Sequence, residues 1–271
     1  MTAMTTISDC VATVRQPTAR QACVFLARYG AALLGSGATC SRLDMNIGRM
    51  AGTWGVRECL TIMPRHLHLT VTDRTGRDLF TAIETVKVTG ISFSLNTRLS
   101  RLSWQVHDND LSIGEAARRF DAIVAEGPGG LAPLAQTLLT GVANASFCRL
   151  FGGDAVAMVV VGVATMAGIC VKSDLLRRHV DLRLAVLAAA FVSAVLAAGD
   201  ALFGLGSTPD IALGASVLYL VPGVPLLNSF SDLVYRHYIC AFSRLIDALV
   251  LTSCLSCGLC VAMLLMGRGM F

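Results

Sequence analysis

The stretch LVPGVPLLNSFSDLVYRHY, residues 220–238, decides the fold, because helix breakers and charged residues interrupt a long apolar run there. Pro222 and Pro225 each lack a backbone N–H and crowd the carbonyl four residues earlier, while Gly223 lets the backbone bend. Inside a membrane, such a break is tolerated only where it lies against protein or a water-filled cavity. The stretch therefore predicts a broken transmembrane helix.

The residues after the break repeat at the spacing of one helical face. This face comprises Asn228, Ser231, Asp232, Tyr235 and Arg236. A new helix that begins near Pro225 would point its positive dipole end toward the break, as transporters do to hold anionic groups. Asp232 and Arg236 are spaced to pair as i, i+4. The alternative is a simple membrane exit, with the residues from Asn228 onward in a solvated loop.

The composition of the whole chain favours a membrane protein. Of its 271 residues 54% are hydrophobic and only 15% are charged, with a mean hydropathy of +0.65. Soluble proteins carry about 25% charged residues. The net charge of +4 is spread along the chain, so no nucleic-acid partner is expected.

Two regions of different character follow each other along the chain. The sequence predicts a flexible terminus at 1–19, an α/β domain at 20–126, a GPGG linker at 127–130 and a transmembrane helical domain at 131–271. In the first domain we expect helices from Ala22 and from Ser41 to Trp54, two strands joined at Pro64-Arg65, and a helix in LSIGEAARRFDAIVAEG, residues 111–127. The predicted fold class is thus an α+β domain followed by an α-helical membrane bundle.

Five apolar stretches in the second region approach the roughly 20 residues that a membrane helix needs. They lie at 132–149, 155–171, 184–204, 209–227 and 246–266. Basic residues concentrate in KSDLLRRHVDLR, residues 172–183, whereas GDALFGLGSTPD, residues 199–210, has none. The positive-inside rule then places the first domain in the cytoplasm and the carboxyl terminus outside. The absence of an apolar leader in MTAMTTISDCVATVRQ agrees with a cytoplasmic amino-terminal domain.

The segment VLYLVPGVPLLNSFSDL, residues 217–233, followed by Arg244, resembles the signature of the threonine/serine exporter family. GSGATCSRLDMNIGRMAGTWGV, residues 35–56, and ISFSLNTRLSRLSWQVHDNDLSIGEAARRFDAI, residues 91–123, resemble that family's cytoplasmic domain. The likeness is to the larger subunit of the two-subunit form, which is implicated in succinate export. Met45 and Ala241 depart from the acidic residue and the glycine expected at those positions, which leaves the substrate open.

The resemblance implies a bacterial inner-membrane exporter of succinate-like dicarboxylates or of threonine and serine. It also implies a smaller membrane partner with its own Pro-Gly motif; a homo-oligomer stays open. By position, Pro222, Gly223, Pro225, Asn228 and Asp232 match the family motif, and the spacing argument adds Arg236 as a substrate-binding candidate. Three residues are candidates for ion coupling: Asp232, Asp247 and Arg244. The last two are spaced to pair as i, i+3.

Metal, cofactor and catalytic sites are not expected. Cys254, Cys257 and Cys260 step about 300° around a helix, so they cannot face one metal cluster. His66 and His68 share a strand face but form half a site at most. Without a hydrolase or ATPase motif, the sequence favours a secondary transporter over an enzyme. A membrane-anchored enzyme with a hydrolase-like domain and a non-transporting assembly subunit are the alternatives.

Overall fold

The computed structural model describes residues 18–266, apart from residues 74, 77, 78, 88, 89, 128 and 205. The predicted flexible terminus therefore lies almost entirely outside the described residues. The chain forms two compact units. The first unit contains the described residues up to Gly129 together with Ser231–Ala241, and the second contains Gly130–Phe230 and the described residues from Phe242 onward.

The helices of the first unit begin where side-chain oxygens satisfy the free N–H groups of a helix start. Thr18, Thr39, Ser92 and Ser112 are these capping residues, and each accepts a hydrogen bond from the backbone N–H three positions later. The helices are α1 (Ala19–Gly35), α2 (Cys40–Trp54), α3 (Phe93–Asp108) and α4 (Ile113–Ala125). The three predicted helices are confirmed, whereas the sequence argument had not identified α3.

Three antiparallel strands form a sheet in the order β1-β2-β3. They are β1 (Arg57–Ile62), β2 (His66–Thr72) and β3 (Leu79–Thr85). The predicted alternation holds in β2, where Leu67, Leu69 and Val71 are fully buried. Helix α1 packs against β2 and β3 and closes the core of this unit. The turn at Pro64-Arg65 joins β1 to β2 as predicted, while β3 was not predicted.

A row of polar contacts joins α2 to α3. The side chain of Asn46 donates to the Tyr29 hydroxyl at 3.1 Å and to Ser100 at 3.2 Å. Arg49 donates to Ser103 at 2.7 Å and stacks over the Trp104 ring. Burial raises the pKa of Tyr29, so its hydroxyl stays protonated and donates to the Leu99 carbonyl at 2.9 Å. This row fixes the register of the two helices.

The second unit is built from apolar helices. They are α5 (Pro133–Leu150), α6 (Ala155–Arg177), α7 (Leu182–Phe203), α8 (Pro209–Ser216) and most of α9 (Gly223–Val234) and α10 (Tyr238–Leu265), of which the residues within Ser231–Ala241 belong to the first unit. Among the described residues, α6, the Leu182–Gly199 part of α7, and α10 are long and apolar enough to cross a membrane. The bent segment Pro209–Val234 makes a fourth span if its two halves count as one. Helix α5 is less apolar, and the count of five spans stays a prediction.

Close packing of small residues holds α6, α7 and α10 together. A row of fully buried alanines, which includes Ala189, Ala190 and Ala194, lies along α7. A side chain at Gly258 of α10 would collide with the Leu187 carbonyl and come within 3.0 Å of the Ala190 Cβ. Small residues let membrane helices approach this closely.

Candidate substrate path at the broken span

The first helix of the broken span, α8, ends several residues before Pro222. Helix α8 ends at Ser216, a short 3-10 turn covers Leu218–Leu220, and α9 begins at Gly223 with a bend of 60°. The Leu218 carbonyl, predicted to lose its helical partner, accepts instead from the Val221 N–H at 3.1 Å. Pro225 lies in the first turn of α9, where a missing N–H is not costly. The predicted break is therefore present, and it extends toward α8.

A buried asparagine satisfies a carbonyl at the break. The Asn144 side-chain amide of α5 donates to the Ala215 carbonyl near the end of α8 at 3.0 Å, and to the Thr165 hydroxyl of α6 at 2.6 Å. Asn144 is 3% exposed and Thr165 is fully buried. These hydrogen bonds give the interrupted backbone the protein partners that it needs in hydrocarbon.

A second set of contacts holds the 3-10 turn that precedes Pro222. The Tyr219 hydroxyl lies 3.1 Å from the Ser193 hydroxyl of α7, which itself donates to the Ala164 carbonyl of α6 at 3.0 Å. Gly168 leaves the space for both hydroxyls, because a Cβ there would collide with each of them. The break is thus fixed to α6 and α7 as well as to α5.

A groove of about 380 Å³ opens beside the break. It is mostly apolar, and its polar positions include Thr140, Asn144 and Tyr219. Gly223, a predicted site residue, also lines it. The sequence argument did not single out Asn144 or Tyr219 as site candidates. The polar side chain of Asn144 inside an apolar stretch was the available signal, since buried polar groups in a membrane helix mark functional sites by default.

The other predicted site residues divide between the two units. Pro222, Pro225 and Asn228 belong to the second unit, where Pro222 is buried and Asn228 is half-buried. Asp232 and Arg236 belong to the first unit. Asp232 is fully buried, whereas Arg236 is exposed.

The Asp232 carboxylate caps the start of α2. Its Oδ1 accepts from the Cys40 N–H at 2.8 Å, and the Cys40 thiol donates to its Oδ2 at 3.4 Å. Cys40 is the first residue of α2, so the carboxylate lies at the positive end of that helix dipole. This contact explains how a fully buried carboxylate is stabilised away from water.

The prediction that the polar face of α9 continues to Tyr235 and Arg236 is wrong. Helix α9 ends at Val234, and Tyr235 and Arg236 follow it in an exposed turn. Arg236 has a positive φ of 65°, and the His237 N–H returns to the Asp232 carbonyl at 2.8 Å. The i, i+4 pair of Asp232 and Arg236 is therefore not formed, because the helix that would align the two side chains has already ended.

The predicted ion pair at the start of α10 is also not formed. Arg244 is half-buried and Asp247 is exposed on this helix, and no ion pair joins them among the described residues. Asp247 therefore faces outward from the second unit. Because Asp247 is exposed and not paired with Arg244, its charge is not neutralised by that residue.

The cysteines and histidines form no metal-ligand group of three or more within the part of the chain that the structure describes. On α10, Cys254 is half-buried, while Cys257 and Cys260 are exposed. On the sheet, His66 is exposed and His68 is half-buried.

The fold and the site together define a multi-pass α-helical membrane protein with a polar, broken span, which is the architecture of a transporter. Comparison with known families makes this assignment specific. Residues 24–266 match the profile described as "Putative threonine/serine exporter". The chain belongs to the threonine/serine exporter family.

Two curated relatives carry the printed name "Probable succinate transporter subunit YjjP". The Klebsiella aerogenes protein is 25% identical over 248 residues, which cover 91% of this chain and 92% of that protein. The Escherichia coli K12 protein is 31% identical over 134 residues, or 48% of this chain, and this match spans only about half, 51%, of that protein's length. No solved structure matches the chain.

Proposed function

We propose that this chain is the larger subunit of a two-component secondary exporter of small carboxylates in a bacterial inner membrane. The substrates would be succinate-like dicarboxylates, or threonine and serine. The family and the names of the relatives support a transporter that acts as a subunit. The observation that carries the proposal is the broken span, whose Ala215 carbonyl is held by the buried Asn144 beside an open groove.

In this proposal the substrate passes along the break. Pro222, Gly223 and Pro225 keep the backbone irregular, and the positive dipole end of α9 attracts the substrate carboxylate. Asn228, half-buried on α9, supplies a side-chain amide. Arg244 is the cation proposed to attract an anion, and Asp247 is the titratable group proposed for ion coupling. A smaller membrane partner completes the path.

The proposed topology has five spans, with α5 as the first. The first unit and the basic segment between α6 and α7 then lie in the cytoplasm, and the carboxyl terminus lies outside. The contact between the α5–α6 and α7–α8 loops supports the two crossings by α6 and α7, because it brings these loops to one end of the bundle. The basic residues 172–183 fall at the other end of α6 and α7.

Efflux from preloaded cells tests the proposed function. Cells loaded with labelled succinate or labelled threonine would express this chain with its small partner, this chain alone, or the partner alone. We expect faster efflux of one substrate only when both chains are present. Efflux by the partner alone would indicate an assembly subunit instead, and no efflux above that of control cells would reject the substrate class.

A further inference from the structure

Asp232 makes a contact that a substrate-binding residue would not need. Both of its carboxylate oxygens face Cys40, at 2.8 Å from the backbone nitrogen and 3.4 Å from the sulfur. Asp232 and Cys40 are both fully buried. A buried carboxylate is costly unless N–H groups and a helix dipole compensate it, so this contact is specific in geometry and costly to lose.

The chain around Asp232 is fixed to the first unit at a second point. Ser231–Ala241 belongs to that unit, although the chain before and after it belongs to the other. At the end of this segment Cys240 is 3% exposed within the core of the first unit, and its thiol lies 3.5 Å from the Ile62 carbonyl. Asp232 at the start and Cys240 at the end therefore anchor the segment Ser231–Ala241 within the first unit.

We propose that Asp232 is a positioning residue, whose carboxylate fixes the last turn of α9 to the start of α2, and that transport requires this contact. Its effect on transport rests on the proposed function. The contact itself does not, because it can be measured without a substrate. In this proposal the substrate contacts the groups that border the break, such as Gly223 and Asn228. Both of these residues are half-buried, whereas Asp232 is fully buried.

The first test removes the N–H donor with Cys40→Pro. Proline is well accepted at the first position of a helix, and Thr39 already has φ −73° and ψ 155°, the conformation preferred before proline. Cys40→Ala is the matched control, since it removes the thiol and keeps the N–H. We expect Cys40→Ala to transport like the wild type. We expect Cys40→Pro to lower the maximal efflux rate about tenfold with an unchanged half-saturating substrate concentration.

The acceptor side is tested with Asp232→Leu and Asp232→Asn. Leucine removes the acceptor, whereas asparagine keeps a side-chain oxygen that can accept from the Cys40 N–H. We expect Asp232→Leu to match Cys40→Pro, the double variant to be no slower than either, and Asp232→Asn to keep most of the efflux. Multiplying losses in the double variant, or an abolished efflux in Asp232→Asn, would instead assign Asp232 to substrate contact or proton coupling.

A cross-link tests the same contact independently of transport. Asp232→Cys places a thiol next to Cys40, and Asp232→Cys combined with Cys40→Ala cannot form the bridge. After mild oxidation in membranes and proteolysis, non-reducing gels should show a 40–232 disulfide only in the first variant. We expect its efflux to be low when reduced and to recover when oxidised, because the disulfide replaces the lost anchor.

The outcomes separate the two proposals. A missing cross-link overturns the contact, and a cross-link without recovered efflux overturns the positioning role. If the wild-type pair exports neither substrate, the proposed function fails while the cross-link still reports on the contact. Membrane levels of each variant are compared by immunoblot. If Cys40→Pro does not accumulate in the membrane, the cross-linking variant Asp232→Cys and its control with Cys40→Ala test the positioning role instead.

Discussion

Asp154 stabilises two loops of the second unit with one carboxylate. Its Oδ1 accepts from the Ala157 N–H at 2.7 Å and caps α6, while its Oδ2 accepts from the Ser207 N–H at 2.6 Å and from the Ser207 hydroxyl at 2.9 Å. The Asp154 N–H donates to Thr208 at 3.0 Å. The hydrogen bonds from Ala157 and then Ser207 lower the pKa of Asp154 below its ordinary value. The ionised side chain therefore fastens one end of the helix bundle.

We predict that Asp154→Asn weakens the acid sensitivity of the purified protein. A lowered pKa in the folded state means that the carboxylate's stabilisation is fully present above the unfolded value of about 3.9, and is lost as the pH falls through the lower folded value. Asparagine still caps a helix but does not titrate. The melting temperature in detergent, measured at about pH 7 and about pH 3, should fall less in the variant than in the wild type.

Asp174→Asn is the control for this experiment. Asp174 is also a carboxylate on α6, but it is an exposed partner of Arg178 in an i, i+4 pair. Such pairs contribute little to stability. We expect the melting temperature of Asp174→Asn to fall with pH as much as that of the wild type. An identical fall in melting temperature for wild type and Asp154→Asn would show that the carboxylate does not hold the loops.

At the scale of elements, the break in the fourth predicted span depends on its neighbours as much as on its prolines. Helix α8 stops at Ser216, before any residue that Pro222 directly affects. Asn144 from α5 reaches the Ala215 carbonyl, and Ser193 from α7 reaches Tyr219 in the 3-10 turn. The first contact satisfies a backbone carbonyl at the end of α8, and the second holds the turn through the Tyr219 side chain. They keep an irregular backbone stable where water is scarce.

We predict that Asn144→Leu destabilises the second unit by about 1–2 kcal/mol and lowers efflux at unchanged membrane level. The substitution removes the donor to Ala215 and Thr165 and places an apolar group against both of these oxygens. Thermal unfolding in detergent and the efflux assay measure the two effects. Ser146→Ala on the same helix is the control, because that hydroxyl is exposed and bonds only within its own helix, to the Val142 carbonyl. Equal behaviour of the two variants would contradict a special role for Asn144.

At the scale of the whole molecule, the number and direction of the spans decide which loops face the cytoplasm. Three described helices qualify as spans by length and composition, and the bent segment adds a fourth. Helix α5 has 18 residues and carries several polar side chains, such as Gln136 and Ser146. Most of its exposed residues are nevertheless apolar, including Leu134 at 72% and Val142 at 66% exposure. This surface suits lipid or a partner helix better than water, which supports α5 as the first span.

We predict on which side of the membrane a reporter lies when it is inserted at four places. Reporters after Gly152, after Ser207 and at the carboxyl terminus should lie outside. A reporter after Arg178 should lie inside. The reason is the charge asymmetry between residues 172–183 and 199–210, combined with five crossings. Alkaline phosphatase, active only outside, and green fluorescent protein, fluorescent only inside, give complementary signals. An inside signal after Gly152 would remove α5 from the spans. Removal of the arginines at 177, 178 and 183 is the control for the charge rule.

Local patterns predicted most elements that depend on neighbouring residues alone. The alternation of Leu67, Leu69 and Val71 predicted β2, and the apolar spacing before Trp54 predicted α2, because side-chain period follows backbone geometry directly. Strand β3 was missed because its formation depends on pairing with β2, not on a clear pattern of its own. The continuation of the polar face to Arg236 failed because helix spacing carries no sign of where the helix stops.

The sequence by itself determined the class of this protein: an apolar chain with few charges, a broken span at Pro222–Pro225 and an exporter-family signature. Hydropathy and proline chemistry act locally, so they can be read without a fold. Only the tertiary structure decided where the polar residues act, because buried hydrogen bonds join positions distant in the chain. It brought Asn144 to the Ala215 carbonyl and the Asp232 carboxylate to the start of α2. Burial away from water makes each of these contacts necessary, and no spacing along the chain encodes them.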